Sequence, residues 1–156
     1  MQLATAHEFA DGRRPQLELV RAASTQDLES AQRLRYRVFV EEMGARIATR
    51  VPGREEDFFD PWCEHLIVRD RATDEIVGTY RVLTAERAKV LGTFYADTEF
   101  DLTRLAGLKA SCLEIGRACV HRDHRHLGVL GLLWRGIVIY ALDRQARYLI
   151  GCSSLT

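Results

Sequence analysis

The most constraining feature of the sequence is residues 113–133, LEIGRACVHRDHRHLGVLGLL. An apolar alternation passes there through a short basic loop into a long apolar run, which predicts a half-buried strand followed by a helix. A strand that enters a helix through a polar, basic turn forms an anion site, because the first backbone N–H groups of the helix have no partners within it. The stretch therefore predicts a phosphate cradle.

The glycines of this turn allow a phosphate group to approach the backbone. Arg125, Gly128 and Gly131 stand as R-x-x-G-x-x-G, which resembles the Q/R-x-x-G-x-G/A loop with which GCN5-related N-acetyltransferases bind their acyl carrier. The resemblance implies a phosphopantetheine-binding site made of Cys119, Val120, Arg125, His126, Leu127, Gly128, Val129, Leu130 and Gly131. An ordinary strand-to-helix turn without a ligand is the alternative interpretation.

The charge balance argues against nucleic acid as a partner. Lys and Arg together number 22, and so do Asp and Glu, so the formal net charge is zero and any anion recognition has to be local. The four cysteines form no C-x-x-C pair, which favours buried thiols over a disulfide framework or a zinc site. Arginines stand between His121, His124 and His126, so no metal is expected there.

The apolar tract of residues 127–142 is interrupted by Arg135 and is shorter than the roughly 20 residues that span a bilayer. Its apolar positions surround the helix, which predicts a helix buried beneath a sheet. Residues 1–15 contain no apolar signal segment, so we expect a cytoplasmic protein. Peripheral contact with the inner face of the membrane stays open.

Strand and helix patterns alternate along the rest of the chain. After a flexible tail over residues 1–15 they predict strands at 17–23, 64–70, 76–84, 111–120 and 148–152, a strand-like excursion at 93–102, and helices at 25–43, 86–91 and 128–146. A long acidic loop at 45–61 carries Asp57 and Asp60. This order predicts one α/β domain, residues 16–156, with a mixed sheet.

Charged residues spread over the whole chain narrow the resemblance. Seven of them agree in order and spacing with acyl-homoserine-lactone autoinducer synthases, together with Phe39: Arg35, Glu42, Asp57, Asp60, Arg81, Glu114 and Arg117. The run from residue 113 to YLIGCSSL is similar to the ornithine-lipid N-acyltransferases, which share the GCN5-related acyltransferase fold. The resemblance implies a mostly antiparallel sheet flanked by helices. The chain ends at Thr156, so we expect it to lack the C-terminal strands of family members.

The resemblance implies transfer of a fatty acyl group, often 3-hydroxylated, from acyl carrier protein, in preference to acyl-coenzyme A, to the α-amine of an amino acid such as ornithine. No permanently bound cofactor is implied. Glu114 would be the base with Arg117 beside it, provided that a bulge brings both to one strand face. The substrate would be held by Arg35, Phe39, Asp57, Asp60 and Arg81, with an aspartate receiving the ammonium of a diamine side chain.

Several alternatives stay open at this stage. An autoinducer synthase would require S-adenosylmethionine, but Ala45 follows Gly44 where those enzymes commonly carry tryptophan. An acetyl-coenzyme A acetyltransferase and a shortened, inactive relative that only binds the carrier are the others. The arginines and acids could equally form a structural ion-pair cluster. Acyl length, acceptor and oligomeric state are not determined by the sequence.

Overall fold

A computed structural model describes residues 16–125 and 127–153, and a single five-stranded sheet runs through it in the order β1-β2-β3-β4-β5. The strands are β1 (Leu17–Arg21), β2 (Glu64–Asp70), β3 (Glu75–Thr84), β4 (Cys112–Val120) and β5 (Tyr148–Ile150). The first four pair antiparallel, and β5 pairs parallel to β4. The predicted mixed, mostly antiparallel sheet is confirmed. The predicted tail, residues 1–15, lies outside the described residues.

Helices connect the strands, and the first of them changes type along its length. The α-helices are α1 (Thr25–Tyr36), which continues as a π-helix over Arg37–Glu42, and α2 (Ala85–Leu91), α3 (Ala96–Glu99) and α4 (Leu127–Asp143). In the described part of the chain, three 3-10 helices span Asp60–Trp62, Thr103–Ser111 and Arg122–His124. Ser24 and Asp27 cap α1 reciprocally, each side chain accepting the other's backbone N–H. Gly44 ends the helical segment with φ +72°, a conformation that glycine adopts without strain.

The two long helices cover opposite faces of the sheet. Leu66 and Val68 point to α4, while Ile67 between them points to α1, because successive side chains of a strand alternate between its faces. The core below α4 contains Val129, Leu133 and Ile137 of that helix. The core below α1 contains Ala31, Leu34 and Val38. The site described below lies on the α1 face.

Two expectations about individual elements are wrong. Residues 93–102 contain no strand; they form α3 and its flanking turns, because Asp97 accepts the backbone N–H of Phe94 and Glu114 accepts those of the next two residues. Helix α4 is buried on one face only, since Val138 and Leu142 are 50% and 73% exposed. None of the helices within the described residues combines the length and apolar character needed to cross a bilayer.

Gly78 lies where α4 crosses β3, and it permits their close contact. A Cβ at this position would lie 2.6 Å from Cγ1 of Val129, a side chain that is fully buried and stiff. We expect Gly78→Ala to lower the free energy of unfolding by about 1–3 kcal/mol in urea titrations. Gly131→Ala is the control, because its Cβ would meet nothing within 4 Å and alanine favours a helix by about 0.5–1 kcal/mol over glycine. Equal stability of Gly78→Ala and the wild type would contradict this packing.

Candidate active site

A bulge in β4 brings the two charged residues of this strand to one face. Thr79 of β3 pairs with Cys119, whereas Arg81 pairs with Gly116, so β4 carries one extra residue between these pairs. Arg117, inside the bulge, has φ +53°, a sparsely populated backbone conformation for a residue other than glycine. Its side chain consequently lines the same cavity as Glu114. The bulge that the sequence analysis required is present.

A buried charge network lies on this face of the sheet. Its members are three arginines and three carboxylates: Arg35, Glu55, Asp57, Asp60, Arg81 and Arg117. Arg35 donates from Nη1 and Nη2 to the two oxygens of Asp60 at 2.9 and 2.5 Å, and its Nε lies 2.6 Å from Glu55. The side chains of Arg35 and Glu55 are both fully buried. Opposite charges balance in number, as stable burial of such a cluster requires.

Arg81 and Arg117 extend the charge network to the edge of the site. Arg81 donates to Asp57 and Asp60 at 2.5 and 2.9 Å. Arg117 lies 3.2 Å from Glu55 and 3.3 Å from Asp57. The side chain of Arg117 is 26% exposed, compared with 5% for Arg81. Arg117 is therefore the arginine of the network that can reach a bound anion.

The network determines the charge of Asp60. Burial alone would raise the pKa of Asp60, but the hydrogen bonds and charge of Arg35 and the charge of Arg81 outweigh it and hold the pKa well below its usual range. Gln32 also donates to this carboxylate, at 2.9 Å. Both oxygens of Asp60 already accept hydrogen bonds, and its side chain is 3% exposed. The Asp60 carboxylate is therefore not available to pair with the ammonium of a diamine substrate.

Glu114 lies beyond Arg81 in a different environment. Its two carboxylate oxygens accept the N–H groups of Tyr95 and Ala96 at 2.8 and 2.6 Å, and the residue is 5% exposed. Burial raises the pKa of Glu114, although the N–H groups of Ala96 and Tyr95 act in the opposite direction. A carboxylate whose pKa is raised at a cavity wall is a candidate for a general base.

Two cavities meet at the bulge. The smaller one, about 230 Å³, is lined by Glu114, Arg117 and Tyr95, and the larger one, about 1000 Å³, extends between β4 and the residues that follow β5. The pairing of β4 with β5 ends at Glu114, so the second half of β4 has no partner strand on this side within the described residues. At Gly151 a Cβ would lie 2.4 Å from the backbone oxygen of Ile115, which shows how closely the two strands approach just before they separate.

Several residues predicted to bind the acyl carrier line the larger cavity, among them Cys119, Val120 and Arg125. Phe39, predicted to hold the substrate, lines the same cavity from the π-helical segment after α1. The N–H of His121 donates to β3 at 2.8 Å, and N–H groups alternate in direction along a strand, so the N–H of Val120 points to the open side and that of Cys119 to β3. Of these two residues of the predicted phosphopantetheine-binding site, Val120 is therefore the one whose N–H is directed away from β3.

The predicted phosphate loop is partly occupied by contacts within the protein. Arg125 donates from Nε to the carbonyl of Val120 at 3.2 Å and pairs with Glu42. Gly128, Leu130 and Gly131 are exposed in the first turns of α4, whereas Val129 is fully buried and could offer only its backbone. His126 lies outside the described residues, as does the side chain of Leu127. Across the described residues, no group of His, Cys, Asp and Glu is arranged to bind a metal.

Glu55 and Tyr95 belong to the site and were missed by the sequence analysis. Glu55 lies in the acidic loop at 45–61, of which only Asp57 and Asp60 were assigned to the site. Tyr95 gave no signal, yet its ring lies beneath the guanidinium groups of Arg81 and Arg117, with centroid distances of 5.9 and 5.4 Å. Such cation–π contacts fix the orientation of both arginines.

Comparison with known proteins identifies the domain family and the relatives that the chain resembles. The acetyltransferase (GNAT) domain family matches residues 34–135. The L-ornithine N(alpha)-acyltransferase of Rhodobacter capsulatus is 38% identical over 144 residues, which cover 88% of this chain and 56% of that protein. The chain thus spans about half the length of the curated relatives it matches.

Two solved structures share the fold at low sequence identity. FeeM, an N-acyl amino acid synthase from uncultured soil microbes, superposes with a TM-score of 0.66 at 15% identity, over 88% of this chain and 71% of that one. The acyl-homoserine-lactone synthase LasI superposes with a TM-score of 0.63 at 15% identity, over 86% and 70%. At these identities the comparison supports a common architecture and no particular substrate.

Proposed function

The chain belongs to the acetyltransferase (GNAT) domain family, and from that premise we propose that it transfers a fatty acyl group from a thioester to the α-amine of ornithine. The observation that carries this proposal is the β4 bulge, which places Glu114 and Arg117 in one cavity beside the open edge of the strand. Acyl transfer to an amino acid needs a base for the ammonium and an anchor for the carboxylate. The 38% identity to the L-ornithine N(alpha)-acyltransferase of Rhodobacter capsulatus supports ornithine as the acceptor.

The larger cavity suits the acyl thioester. Apolar side chains, among them Phe39, Ile47 and Trp134, provide much of its lining and can hold an alkyl chain. The donor that we propose is acyl carrier protein, with its phosphopantetheine entering along the open edge of β4. Arg125, which lines the larger cavity, and Arg122 in the same loop have side chains 49% and 70% exposed, and they would complement an acidic carrier surface.

The reaction that we propose uses three groups of the chain. The carboxylate of the acceptor pairs with Arg117, and Glu114 removes a proton from the α-ammonium directly or through a water. The amine attacks the thioester carbonyl, and the N–H of Val120 stabilises the oxyanion. When the tetrahedral intermediate collapses, the C–S bond breaks, the new C–N bond remains and the pantetheine thiol leaves with a proton.

An acceptor and donor panel tests the proposal. The purified chain is incubated with 3-hydroxyacyl carrier protein or acyl-coenzyme A and a set of amino acids, and products are identified by mass spectrometry. We expect N-acylornithine from the carrier-protein donor, formed without S-adenosylmethionine. A product that depends on S-adenosylmethionine would identify an autoinducer synthase instead. Folded protein that binds the carrier and forms no N-acyl amino acid would contradict acyl transfer.

A further inference from the structure

The smaller cavity carries an acidic group that the reaction described above does not use. Glu99, the last residue of α3, lines this cavity together with Arg117 and Glu114. Glu99 is exposed, and it forms no ion pair with a lysine or arginine of residues 16–125 and 127–153. The cavity thus presents a carboxylate that lacks a cationic partner within the described part of the chain.

Tyr95 contacts both Arg117 and Glu99. The guanidinium of Arg117 lies over its ring, 5.4 Å from the centroid. The hydroxyl of Tyr95 donates a hydrogen bond to Glu99. Burial, and to a lesser extent this hydrogen bond, raises the pKa of Tyr95, so the phenol stays protonated. The cavity wall consequently presents a cation and an anion that both contact Tyr95.

The other carboxylates of the site are less available to a ligand. Glu114 is 5% exposed and accepts two backbone N–H groups. Asp60 is 3% exposed, and Asp57 pairs with both Arg81 and Arg117. With Glu114 assigned to the α-amine, Glu99 is therefore the carboxylate near the bulge that can receive a second positive charge from the ligand.

We infer that Glu99 binds the distal ammonium of a diamino acid whose carboxylate pairs with Arg117, and so selects the acceptor. The inference rests on the proposed function for the chemistry at the α-amine. The cavity volume of about 230 Å³ is below the range of about 300–1,000 Å³ typical of drug-sized ligands, as expected for one small amino acid. The distal ammonium would replace water at the exposed face of Glu99, while the α-amine faces Glu114.

Glu99→Gln tests this assignment, because glutamine keeps the acceptor for Tyr95 and removes the charge. The readout is kcat/KM for ornithine divided by kcat/KM for norvaline, which has the same carbon chain and no distal amine. We expect this ratio to fall by about tenfold or more. The fall should come from a higher KM for ornithine, while kcat/KM for norvaline stays unchanged. Glu41→Gln, at an exposed position outside both cavities, should leave the ratio at the wild-type value. An unchanged ratio in Glu99→Gln would overturn the assignment.

A binding measurement separates this inference from the proposed function. Titration calorimetry of ornithine and norvaline into wild type and Glu99→Gln needs no acyl donor. If the wild type binds ornithine more tightly than norvaline and Glu99→Gln does not, the role of Glu99 is supported. This holds even if no amino acid is acylated and the proposed function fails. Equal ornithine binding by both proteins, or binding by neither, overturns it.

Discussion

Asp60→Ala is expected to lower the free energy of unfolding by about 3–5 kcal/mol, because it leaves two buried guanidinium groups without their shared counter-charge. The carboxylate is 3% exposed and accepts hydrogen bonds from Arg35 at 2.5 and 2.9 Å and from Arg81 at 2.9 Å. Domains of this size are stable by only about 5–15 kcal/mol, so a large share of the stability is at stake. Urea denaturation followed by circular dichroism measures the loss.

Asp74→Asn is the matched control for this loss. Asp74 also pairs with an arginine, Arg69 at 2.6 Å, but its side chain is 79% exposed, so its removal should cost less than about 1 kcal/mol. Asparagine tolerates the positive φ of this position, +61°. Equal losses for Asp60→Ala and Asp74→Asn would show that the charge network does not stabilise the fold.

The stability difference between the wild type and Asp60→Ala should depend on pH. The folded pKa of Asp60 lies below its unfolded value, which is about 3.9. Its contribution is therefore fully present above the unfolded pKa and is lost as the pH falls towards the folded one. The stability difference between wild type and Asp60→Ala should be constant near neutral pH and shrink as the pH falls below about 5. A constant difference throughout the acid range would contradict an ionised Asp60.

The order of strands and helices could be predicted because it is encoded locally. Ser24 and Asp27 carry the capping pattern of α1, and the β2–β3 hairpin is marked by two β-rich runs around a polar turn. The π-helical turn after Tyr36 and the conformation of residues 94–96 were not predicted. The latter depends on hydrogen bonds to Glu114, 18 and 19 residues away, which no local pattern reveals.

The candidate site was predictable to a similar degree. Five of the seven charged residues that match the family in order and spacing come together in the charge network: Arg35, Asp57, Asp60, Arg81 and Arg117. Which of these residues are buried and which can contact a ligand could not be predicted from the sequence. Asp60 is enclosed, whereas Arg117 reaches the cavity. The pairing of Arg125 with Glu42 joins residues 83 positions apart, and sequence spacing carries no information on it. Tyr95 lies in the segment whose structure was predicted wrongly.

Glu114→Gln is expected to lower kcat by about 10²–10⁴-fold if Glu114 is the general base. The substitution preserves the shape of the side chain and removes the group that accepts the proton. Because burial raises the pKa of Glu114, kcat/KM of the wild type should increase with pH through an acid limb above the ordinary glutamate range, as the carboxyl group loses its proton. That limb should be absent from Glu114→Gln. Steady-state kinetics with ornithine across the pH range measures both effects.

Glu114 also accepts the N–H groups of Tyr95 and Ala96. A loss of kcat in Glu114→Gln caused by a structural change therefore has to be distinguished from the loss of a base. Asp97→Asn is the matched control: Asp97 accepts the N–H of Phe94 at 3.1 Å and pairs with Lys109, but it does not line the smaller cavity. Both variants should lose about 1–3 kcal/mol of stability, because each leaves a hydrogen-bond donor unpaired. Only Glu114→Gln should lose the acid limb of the kcat/KM pH profile. If folded Glu114→Gln keeps the wild-type kcat and pH profile, its carboxylate is an anchor for α3 and the base lies elsewhere.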